Sequence, residues 1–270
     1  MLRLCALIFS LICLNASAKA IIFSDSLADE GRIYALTDEQ LPSPEYYFEG
    51  RYSNGPTWPE YAFSDRENYA YAGAESDYSN FLEPELGTLV DNTGLLGQVD
   101  EYIAAHPTAE DNAAFYIGIG ANDILELTRA EAASSTFLIA GIMENIKLAM
   151  HRLETTGAQQ FMFIGLPDLA ATPIANDMSD AERKLLTAMS EQYNKELVLL
   201  STRYGAQYIS MNRLFSMILN HPAKYGFTNV TDACFNEQTF EVCDNPEEYV
   251  FWDNVHPTTR VHQMFAATVK

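Results

Sequence analysis

The stretch AIIFSDSLAD, residues 20–29, joins a short apolar run to a run of polar residues. AIIF has the composition of a buried β-strand, because it combines β-branched and aromatic side chains without any charge. Ser24, Asp25 and Ser26 follow at once, with no glycine between them. Polar side chains just beyond a strand either cap the next helix or form part of a site at the edge of a sheet. These residues alone favour the cap, so the rest of the chain must decide.

Strand-like and helix-like segments alternate along the chain. The strand-like segments are short and almost wholly apolar, whereas the helix-like segments are longer and one of them begins at the capping residue Ser179. This alternation predicts an α/β fold, a three-layer sandwich whose central, mostly parallel sheet has about five strands. Active sites on such sheets lie at the carboxyl ends of the strands. The strand-like segments are KAIIF, ENYAY, AAFYIGI, QQFMFIGL and AQYISM.

The composition limits the number of domains and the class of partner. With 270 residues, of which 48% are hydrophobic, the chain can bury one good-sized core, and this favours one domain. The 37 acidic residues outnumber the 16 basic ones, and the formal net charge is −21. Such a surface repels phosphate backbones and anionic bilayers, so no nucleic acid is expected as a partner. Acidity by itself identifies no other partner.

Residues 1–18, MLRLCALIFSLICLNASA, have the pattern of a secretory signal peptide. One arginine precedes an apolar centre, and small residues end the segment at Ala16, Ser17 and Ala18. The apolar run is too short to span a bilayer comfortably. We therefore expect cleavage after Ala18, a secreted or periplasmic protein, and a soluble mature chain that forms a single domain over residues 19–270.

Export changes the meaning of the cysteines, because Cys5 and Cys13 would leave with the signal peptide. Cys234 and Cys243 would remain, and their short spacing can close a disulfide loop in an oxidising compartment. The alternative is a pair of free thiols. A metal site is not expected, because no third cysteine or nearby histidine completes a set of ligands.

A serine nucleophile at Ser26 would need a base, and the chain contains five histidines. His256 stands in WDNVHPTT, three residues after Asp253. A carboxylate at this spacing can accept a hydrogen bond from one imidazole nitrogen and leave the other nitrogen free to take the serine proton. The alternative is a chance pair of neighbours on the surface or at a helix cap.

Acyl transfer also needs hydrogen-bond donors directed at the oxyanion. IGIGAND, residues 117–123, ends a strand-like run with glycines and then presents the side-chain amide of Asn122. NYAYAGA, residues 68–74, ends another such run at Gly73, where the missing Cβ lets a backbone N–H approach a ligand closely. Ordinary turn chemistry is the alternative explanation for each segment.

Five short segments together resemble the successive sequence blocks of the GDSL lipases, the SGNH hydrolase superfamily. The GRYSNGPTWPEY block is similar to the corresponding block in a bacterial branch of this family. That branch contains secreted lysophospholipases, phospholipase/lecithinase/haemolysin enzymes and glycerophospholipid:cholesterol acyltransferases. The GxSxG signature of the α/β-hydrolases is absent from the sequence. In chain order, and over nearly the whole mature chain, the segments are FSDSLADEG, GRYSNGPTWPEY, NYAYAGA, IGIGAND and DNVHPT.

The resemblance implies a role for each candidate residue. Ser26 is the implied nucleophile, His256 is the general base and acid, and Asp253 is the carboxylate that orients the imidazole. The backbone N–H groups of Ser26 and Gly73, together with the side-chain amide of Asn122, form the implied oxyanion hole.

The chain departs from the family's pattern at Ser24, because the GDSL motif begins with glycine. Serine avoids positive φ angles, so a turn that required one would be distorted. We expect the change to be tolerated, because serine is small and the other four blocks are intact. It also makes Ser24 a rival to Ser26 as the nucleophile.

The resemblance further implies a secreted esterase of lipids, a lysophospholipase A or phospholipase A that can also transfer acyl groups. Such an enzyme works through an acyl-enzyme and needs no cofactor or metal. Its partners would be a small lysophospholipid or phospholipid and, transiently, a membrane surface, while the oligomeric state is left open. The alternatives are a short-chain or carbohydrate O-acetyl esterase, and an inactive lipid-binding or haemolysin-like relative. Because the cysteine loop lies just before Asp253, we expect it to shape or cover the acyl site.

Overall fold

The computed structural model describes residues 18–129 and 135–269. The predicted signal peptide therefore lies outside the described residues, apart from Ala18. The strands are β1 Ala20–Ser24, β2 Arg66–Asn68, β3 Ala114–Gly118, β4 Gln160–Gly165, β5 Gln207–Ser210, β6 Asn229–Ala233, β7 Phe235–Asn236, β8 Glu241–Val242 and β9 Tyr249–Phe251. The α-helices are α1 Arg32–Leu36, α2 Trp58–Ala62, α3 Glu83–Leu86, α4 Leu95–Ala105, α5 Ala121–Arg129, α6 Ser135–Glu154, α7 Asp180–Tyr204, α8 Met211–Asn220, α9 Pro222–Tyr225 and α10 Thr259–Val269.

Strands β1 to β5 form one parallel sheet in the order β2-β1-β3-β4-β5. This confirms the predicted α/β fold with its five-stranded sheet. β2 ends at Asn68, although the segment ENYAY predicted a strand that continues to Tyr71. The chain still follows the sheet beyond that point, because the Tyr69 N–H donates to the Ile22 carbonyl over 2.8 Å and the Tyr71 N–H to the Ser24 carbonyl over 3.3 Å.

Helices cover both faces of the sheet. Along β1, Ile21 and Phe23 pack against one layer, in which α4, α6 and α7 supply most of the apolar side chains. Ala20 and Ile22 pack against the other layer, which contains Trp58 of α2 and side chains of α8 and α10. These four β1 residues are buried, as a parallel sheet covered on both faces requires. The predicted three-layer arrangement is thereby confirmed.

The longest described helix begins where its capping residue predicts. The Ser179 side chain accepts a hydrogen bond from the Glu182 N–H, and the Glu182 carboxylate accepts one from the Ser179 N–H over 2.7 Å. This reciprocal capping box satisfies two backbone donors that a helix start leaves unpaired. Among the described residues, no helix combines the length and the apolar character that a bilayer crossing demands.

Two small strand pairs lie outside the main sheet, between α9 and α10. β6 pairs with β9 in parallel, and β7 pairs with β8 as an antiparallel hairpin. A disulfide joins Cys234 to Cys243 and closes this hairpin. We call residues 234–243 the disulfide hairpin. It directly precedes the segment that leads through β9 to Asp253 and His256.

Candidate active site

The turn after β1 places Ser26 at the carboxyl end of the parallel sheet. Asp25 forms this turn, because its carbonyl accepts the backbone N–H groups of Ala28 (3.0 Å) and Asp29 (3.1 Å). Its carboxylate accepts the Leu27 N–H over 3.0 Å, and burial raises the pKa of this carboxyl to about 6. The Ser26 N–H has no acceptor within residues 18–129 and 135–269, so it remains available to a ligand.

Ser24 is the last residue of β1 and has extended backbone, so the strand end does not require glycine there. Its hydroxyl donates to the Gly118 carbonyl of the neighbouring strand over 2.6 Å. Gln98 of α4 holds the same residue from the other side. The Gln98 Oε1 atom accepts the Ser24 N–H (3.0 Å), and Nε2 donates to the Ser24 carbonyl (2.9 Å). The Ser24 hydroxyl therefore lies against β3 and is used there.

Ser26, His256 and Asp253 form one continuous chain of hydrogen bonds. His256 Nε2 lies 2.8 Å from Ser26 Oγ, and Nδ1 lies 2.7 Å from Asp253 Oδ2. The Oδ1 atom of Asp253 accepts the backbone N–H groups of Val255 (2.8 Å) and His256 (2.7 Å), while Oδ2 accepts the Tyr47 hydroxyl (2.8 Å). These contacts fix the carboxylate and thereby the imidazole ring. The arrangement can pass the serine proton to Nε2.

The charges around His256 favour its protonated form. Burial of the ring lowers its pKa, but the carboxylates of Asp253, Glu237 and Asp25 outweigh this effect and raise the pKa above its usual 6.5. Burial raises the pKa of Asp253, whereas the charge and the hydrogen bonds of His256 lower it below its usual range. Asp253 therefore stays ionised, and a negative charge at this position can stabilise an imidazolium at His256.

Gly73 occupies a turn that has room for glycine alone. Its φ angle is +78°, and a Cβ atom added there would lie 2.2 Å from Asn80 Oδ1. The preceding residue, Ala72, donates its N–H to the buried Asp29 carboxylate over 2.8 Å, which anchors the turn. In the described part of the chain, no acceptor lies within hydrogen-bonding distance of the Gly73 N–H.

Asn122 follows β3, in the first turn of α5, and is tied to the Gly73 turn. Its Nδ2 atom donates one hydrogen to the Ala74 carbonyl over 2.9 Å. A primary amide carries two such hydrogens, so one remains for a ligand. Asp123 strengthens the same link, because its carboxylate accepts the Ser76 N–H over 3.0 Å.

A small, mainly apolar pocket opens beside Ser26 and His256. Asn122 borders it, whereas Gly73 is not among the lining residues; its neighbour Ala74 is hydrogen-bonded to Asn122. No described residue of the disulfide hairpin lines this pocket. The expectation that the hairpin covers the acyl site therefore stays a prediction. The apolar lining consists of Leu27, Ala121, Leu125, Pro167, Leu169, Phe215, Val255 and Pro257.

The sequence matches one family model over almost the whole described chain. The model is that of the GDSL-like lipase/acylhydrolase family, and it matches residues 21–269. The chain belongs to this family. The match contains all five blocks that carried the resemblance, and the predicted family is thereby confirmed. GDSL lipases and acylhydrolases are, by that description, hydrolases of carboxylic esters, the enzyme class that the sequence predicts.

Three bacterial proteins are similar to this GDSL-family chain over more than nine tenths of its length. The thermolabile hemolysin of Vibrio parahaemolyticus is 26% identical, and the alignment covers 92% of this chain and 62% of the hemolysin. The secreted effector protein SseJ of Salmonella typhimurium is 28% identical, with 94% and 63% covered. The phosphatidylcholine-sterol acyltransferase of Aeromonas hydrophila is 24% identical, with 92% and 87% covered. The chain thus spans less than two thirds of the first two relatives.

Solved structures share the fold of this GDSL-family chain. A GDSL-like lipase from Parabacteroides merdae superposes with a TM-score of 0.53 at 14% identity, and 93% of each chain is covered. LAE5, an α/β-hydrolase enzyme from the metagenome of Lake Arreo, gives a TM-score of 0.50 at 14% identity, with 94% of each chain covered. At such low identity, this likeness speaks for the fold alone.

Two side chains that hold the site were not predicted from the sequence. Gln98 contacts Ser24 across 74 residues of chain, and Tyr47 contacts Asp253 across 206 residues. A local motif cannot reveal partners at such separations. The one sequence signal near Tyr47 is the aromatic content of PEYYFEGRY, residues 44–52, and this signal does not distinguish a hydrogen-bond donor from ordinary packing.

One group of metal-ligand side chains comes together among the described residues, at a different place from Ser26. Glu67, His106 and Glu110 present ligand atoms within 4.8 Å of one another. The Lys19 ammonium lies 2.5 Å from the Glu67 carboxylate and 2.7 Å from that of Glu110, so a cation already neutralises both groups. This arrangement of Glu67, His106 and Glu110 therefore does not fit a divalent metal.

Proposed function

We propose that this GDSL-family protein is an exported serine hydrolase of lipid esters, acting as a lysophospholipase A or phospholipase A. The observation that carries the proposal is the hydrogen-bonded chain Ser26–His256–Asp253 beside an apolar pocket. A hydroxyl connected to a base in this way is an activated nucleophile. Ser24 does not compete for this role, because its hydroxyl is bonded to the Gly118 carbonyl.

In the first half of the proposed reaction, Ser26 Oγ attacks the ester carbonyl carbon and His256 Nε2 takes the serine proton. The oxyanion that develops accepts hydrogen bonds from the Ser26 and Gly73 N–H groups and from the Asn122 amide. When the tetrahedral intermediate collapses, His256 returns the proton to the leaving alcohol, and the acyl group stays on Ser26. Preorganised donors of this kind stabilise the transition state by about 3–4 kcal/mol each.

In the second half, water attacks the carbonyl carbon of the acyl-enzyme while His256 Nε2 accepts a proton from it. The bond from that carbon to Ser26 Oγ then breaks, His256 gives the proton to Oγ, and a fatty acid is released. An alcohol in place of water would receive the acyl group, and the reaction would then be an acyl transfer. The relative described as a phosphatidylcholine-sterol acyltransferase supports this second outcome.

The pocket and the relatives support a lipid ester as the substrate. The side chains that surround the Ser26 hydroxyl are mostly apolar, with Leu125, Leu169 and Phe215 among them. Such a lining favours the hydrocarbon of an acyl chain over a sugar. The net charge of −21 disfavours anionic bilayers, so we expect transient contact with zwitterionic lipid surfaces.

Three observations support export. Residues 1–18 have the signal-peptide pattern, and one of the bacterial relatives is described as a secreted effector. A disulfide between Cys234 and Cys243 is in keeping with an oxidising compartment.

The experiment that tests the proposal is acyl release from lysophosphatidylcholine by the purified mature protein, its Ser26→Ala variant and its Ser24→Ala variant. Ser26→Ala should lower turnover by about 10³-fold or more, because the nucleophile is lost. Ser24→Ala should keep turnover and lose about 1 kcal/mol of stability, because one buried hydrogen bond is removed. Equal activity of the parent and Ser26→Ala would refute the proposal.

The same proteins should be assayed on acetylated oligosaccharides and on p-nitrophenyl butyrate. Activity on acetyl esters without release of long acyl chains would move the substrate class to carbohydrates. If the parent protein cleaves none of these esters, the inactive lipid-binding alternative is favoured.

A further inference from the structure

The two carboxylate oxygens of Asp253 are held in different ways. Oδ1 accepts two backbone N–H groups of its own loop. The imidazole Nδ1 of His256 lies 2.9 Å from Oδ1 and 2.7 Å from Oδ2, and Oδ2 accepts one further donor, the Tyr47 hydroxyl at 2.8 Å. The Asp253 side chain is only 4% exposed, so water cannot readily replace this donor. A buried carboxylate depends strongly on each charge-assisted hydrogen bond that it accepts.

Tyr47 is itself held by aromatic packing against the disulfide hairpin. Its ring meets Phe235 edge to face, with centroids 5.7 Å apart, and Trp252 at 6.4 Å. Phe235 is stacked between Tyr46 (4.4 Å) and Trp252 (5.9 Å). Tyr47 is 8% exposed and has little freedom to turn away from Asp253.

The disulfide hairpin is fastened to the segment that carries Asp253. The Cys234 N–H donates to the Phe251 carbonyl (3.1 Å), and the Phe235 N–H donates to the Trp252 carbonyl (2.6 Å). Glu237 of the hairpin adds polar contacts, because Oε1 lies 3.3 Å from the Tyr47 hydroxyl and Oε2 accepts the Asn254 amide over 3.1 Å. The hairpin therefore contacts both Tyr47 and the residues on either side of Asp253.

We propose that Tyr47 is a positioning residue, which orients Asp253 toward His256 and is held in place by Phe235 and Glu237 of the disulfide hairpin. This inference rests on the proposed function, because it assigns Asp253 its role in the same reaction. Tyr47 does not touch the reacting atoms. Burial, together with the charges of Asp253 and Glu237, raises the pKa of its hydroxyl, so Tyr47 remains a donor at neutral pH.

Tyr47→Phe keeps the ring and its packing and removes only the hydroxyl. The expected result is a kcat about tenfold lower, which corresponds to the loss of one hydrogen bond, with KM changed less than about twofold. The melting temperature should fall by less than about 5 °C. Tyr46→Phe is the matched control, because its ring packs on the same Phe235 while no contact joins its hydroxyl to Asp253. The control should retain the kcat of the parent.

A pH profile separates positioning from a purely structural role. The charged groups around His256 are Asp253, Glu237 and Asp25, and His262 lies close enough to be affected by it. The base must be neutral, so activity falls as the pH drops below the pKa of His256. Glu237→Gln removes one of the charges that raise this pKa, and the acid limb of kcat/KM should move to lower pH by about half a unit. Glu237 is exposed, so added salt should reduce the shift.

These measurements are made on p-nitrophenyl butyrate as well as lysophosphatidylcholine, with Ser26→Ala beside them. If Ser26→Ala stays active, the proposed function is wrong. If Ser26→Ala is inactive but Tyr47→Phe has the kcat of Tyr46→Phe, the positioning role is wrong. An acid limb that does not move in Glu237→Gln at low salt would show that the charge of Glu237 does not act on His256. An unchanged kcat after replacement of both Cys234 and Cys243 with serine would refute the part assigned to the hairpin.

Discussion

The two halves of the candidate site are built in different ways. The nucleophile half, with Ser26, Gly73 and Asn122, lies where adjacent chain segments leave the carboxyl edge of the parallel sheet. The base half, with Asp253 and His256, lies in a loop after β9, outside that sheet. The first half is held by the paired strands and by polar side-chain contacts at their ends, including Gln98, whereas the second half lies outside the sheet and is held mainly by side chains distant in sequence.

Short-range backbone geometry dominates the nucleophile half. β1 and β3 are paired in register from Ala20 to Ser24, and the Ser24 hydroxyl reaches Gly118 across this pair. The Asn122 amide reaches Ala74 in the same region. Because the paired strands fix the backbone on which these side chains stand, a single side-chain change beyond the reacting groups and Gln98 should move the nucleophile little.

Long-range side-chain contacts dominate the base half. Besides Tyr47, the segment 47–54 supplies the Ser53 hydroxyl, which donates to the Pro257 carbonyl (2.9 Å), and Asn54, whose side-chain oxygen accepts the Thr259 N–H (2.8 Å). The base half should therefore be more sensitive than the nucleophile half to changes outside the reacting groups.

Among the variants that test this comparison, Asp253→Asn should lower turnover the most. The amide cannot stabilise an imidazolium as a carboxylate does, so kcat should fall by about 10⁴-fold while the fold persists. Steady-state turnover and far-ultraviolet circular dichroism check both statements. Asp244→Asn, an exposed position beside the disulfide hairpin, is the control and should retain turnover. A fall of less than tenfold in Asp253→Asn would mean that the base half acts without this carboxylate.

Gly73→Ala tests the nucleophile half and should have the next largest effect. A Cβ atom there meets Asn80 Oδ1 at 2.2 Å and forces the turn to move, so kcat/KM should fall by about 10²-fold through the loss of an oxyanion donor. Stability should fall by about 1–3 kcal/mol in urea denaturation. The control is Gly205→Ala, where φ is +71° and no atom lies within 4 Å of the added Cβ. It should lose about 1 kcal/mol and keep its activity, since it carries the φ strain without the collision. Equal kcat/KM values for Gly73→Ala and Gly205→Ala would refute the role of the Gly73 N–H as an oxyanion donor.

The smallest catalytic effect should come from replacing both Cys234 and Cys243 with serine. The disulfide hairpin touches the base half through Tyr47 and Glu237, so kcat should fall by about threefold, less than the tenfold of Tyr47→Phe. Removing the link should also lower stability by about 2–3 kcal/mol. If the hairpin acts through Tyr47, adding the serine changes to Tyr47→Phe should lower kcat little further. If the serine changes and Tyr47→Phe instead lower kcat independently, so that their effects multiply, the hairpin does not act through Tyr47.

Much of the fold, and the candidate residues of the site, could be predicted from the sequence alone. The apolar strands predicted the parallel sheet, because a strand buried on both faces has few polar positions. β2 was the exception: ENYAY predicted a strand that continues to Tyr71, whereas the regular pairing of β2 with β1 covers Arg66–Asn68. Ser24, a possible rival nucleophile in the sequence, hydrogen-bonds to β3 in the structure.

Residues that belong to a recognisable motif, or that contact close neighbours in the sequence, could be identified from the sequence. Asp253 and His256 lie three residues apart, and their hydrogen bond was foreseeable from that spacing. Tyr47 and Gln98 were not accessible, since each reaches its partner across a long chain separation and belongs to no motif.

The fold class and the approximate number of strands follow from the amino-acid sequence, because they depend on the pattern of burial along the chain. The candidate reacting groups follow from the short sequence blocks that resemble those of the GDSL family. The meeting of Ser26 with His256, 230 residues away, depends on how the layers pack. So does the support of Asp253 by Tyr47 and the disulfide hairpin. Contacts of this second kind arise only when distant surfaces close on each other, because burial gives their hydrogen bonds a strength that the unfolded chain in water does not provide.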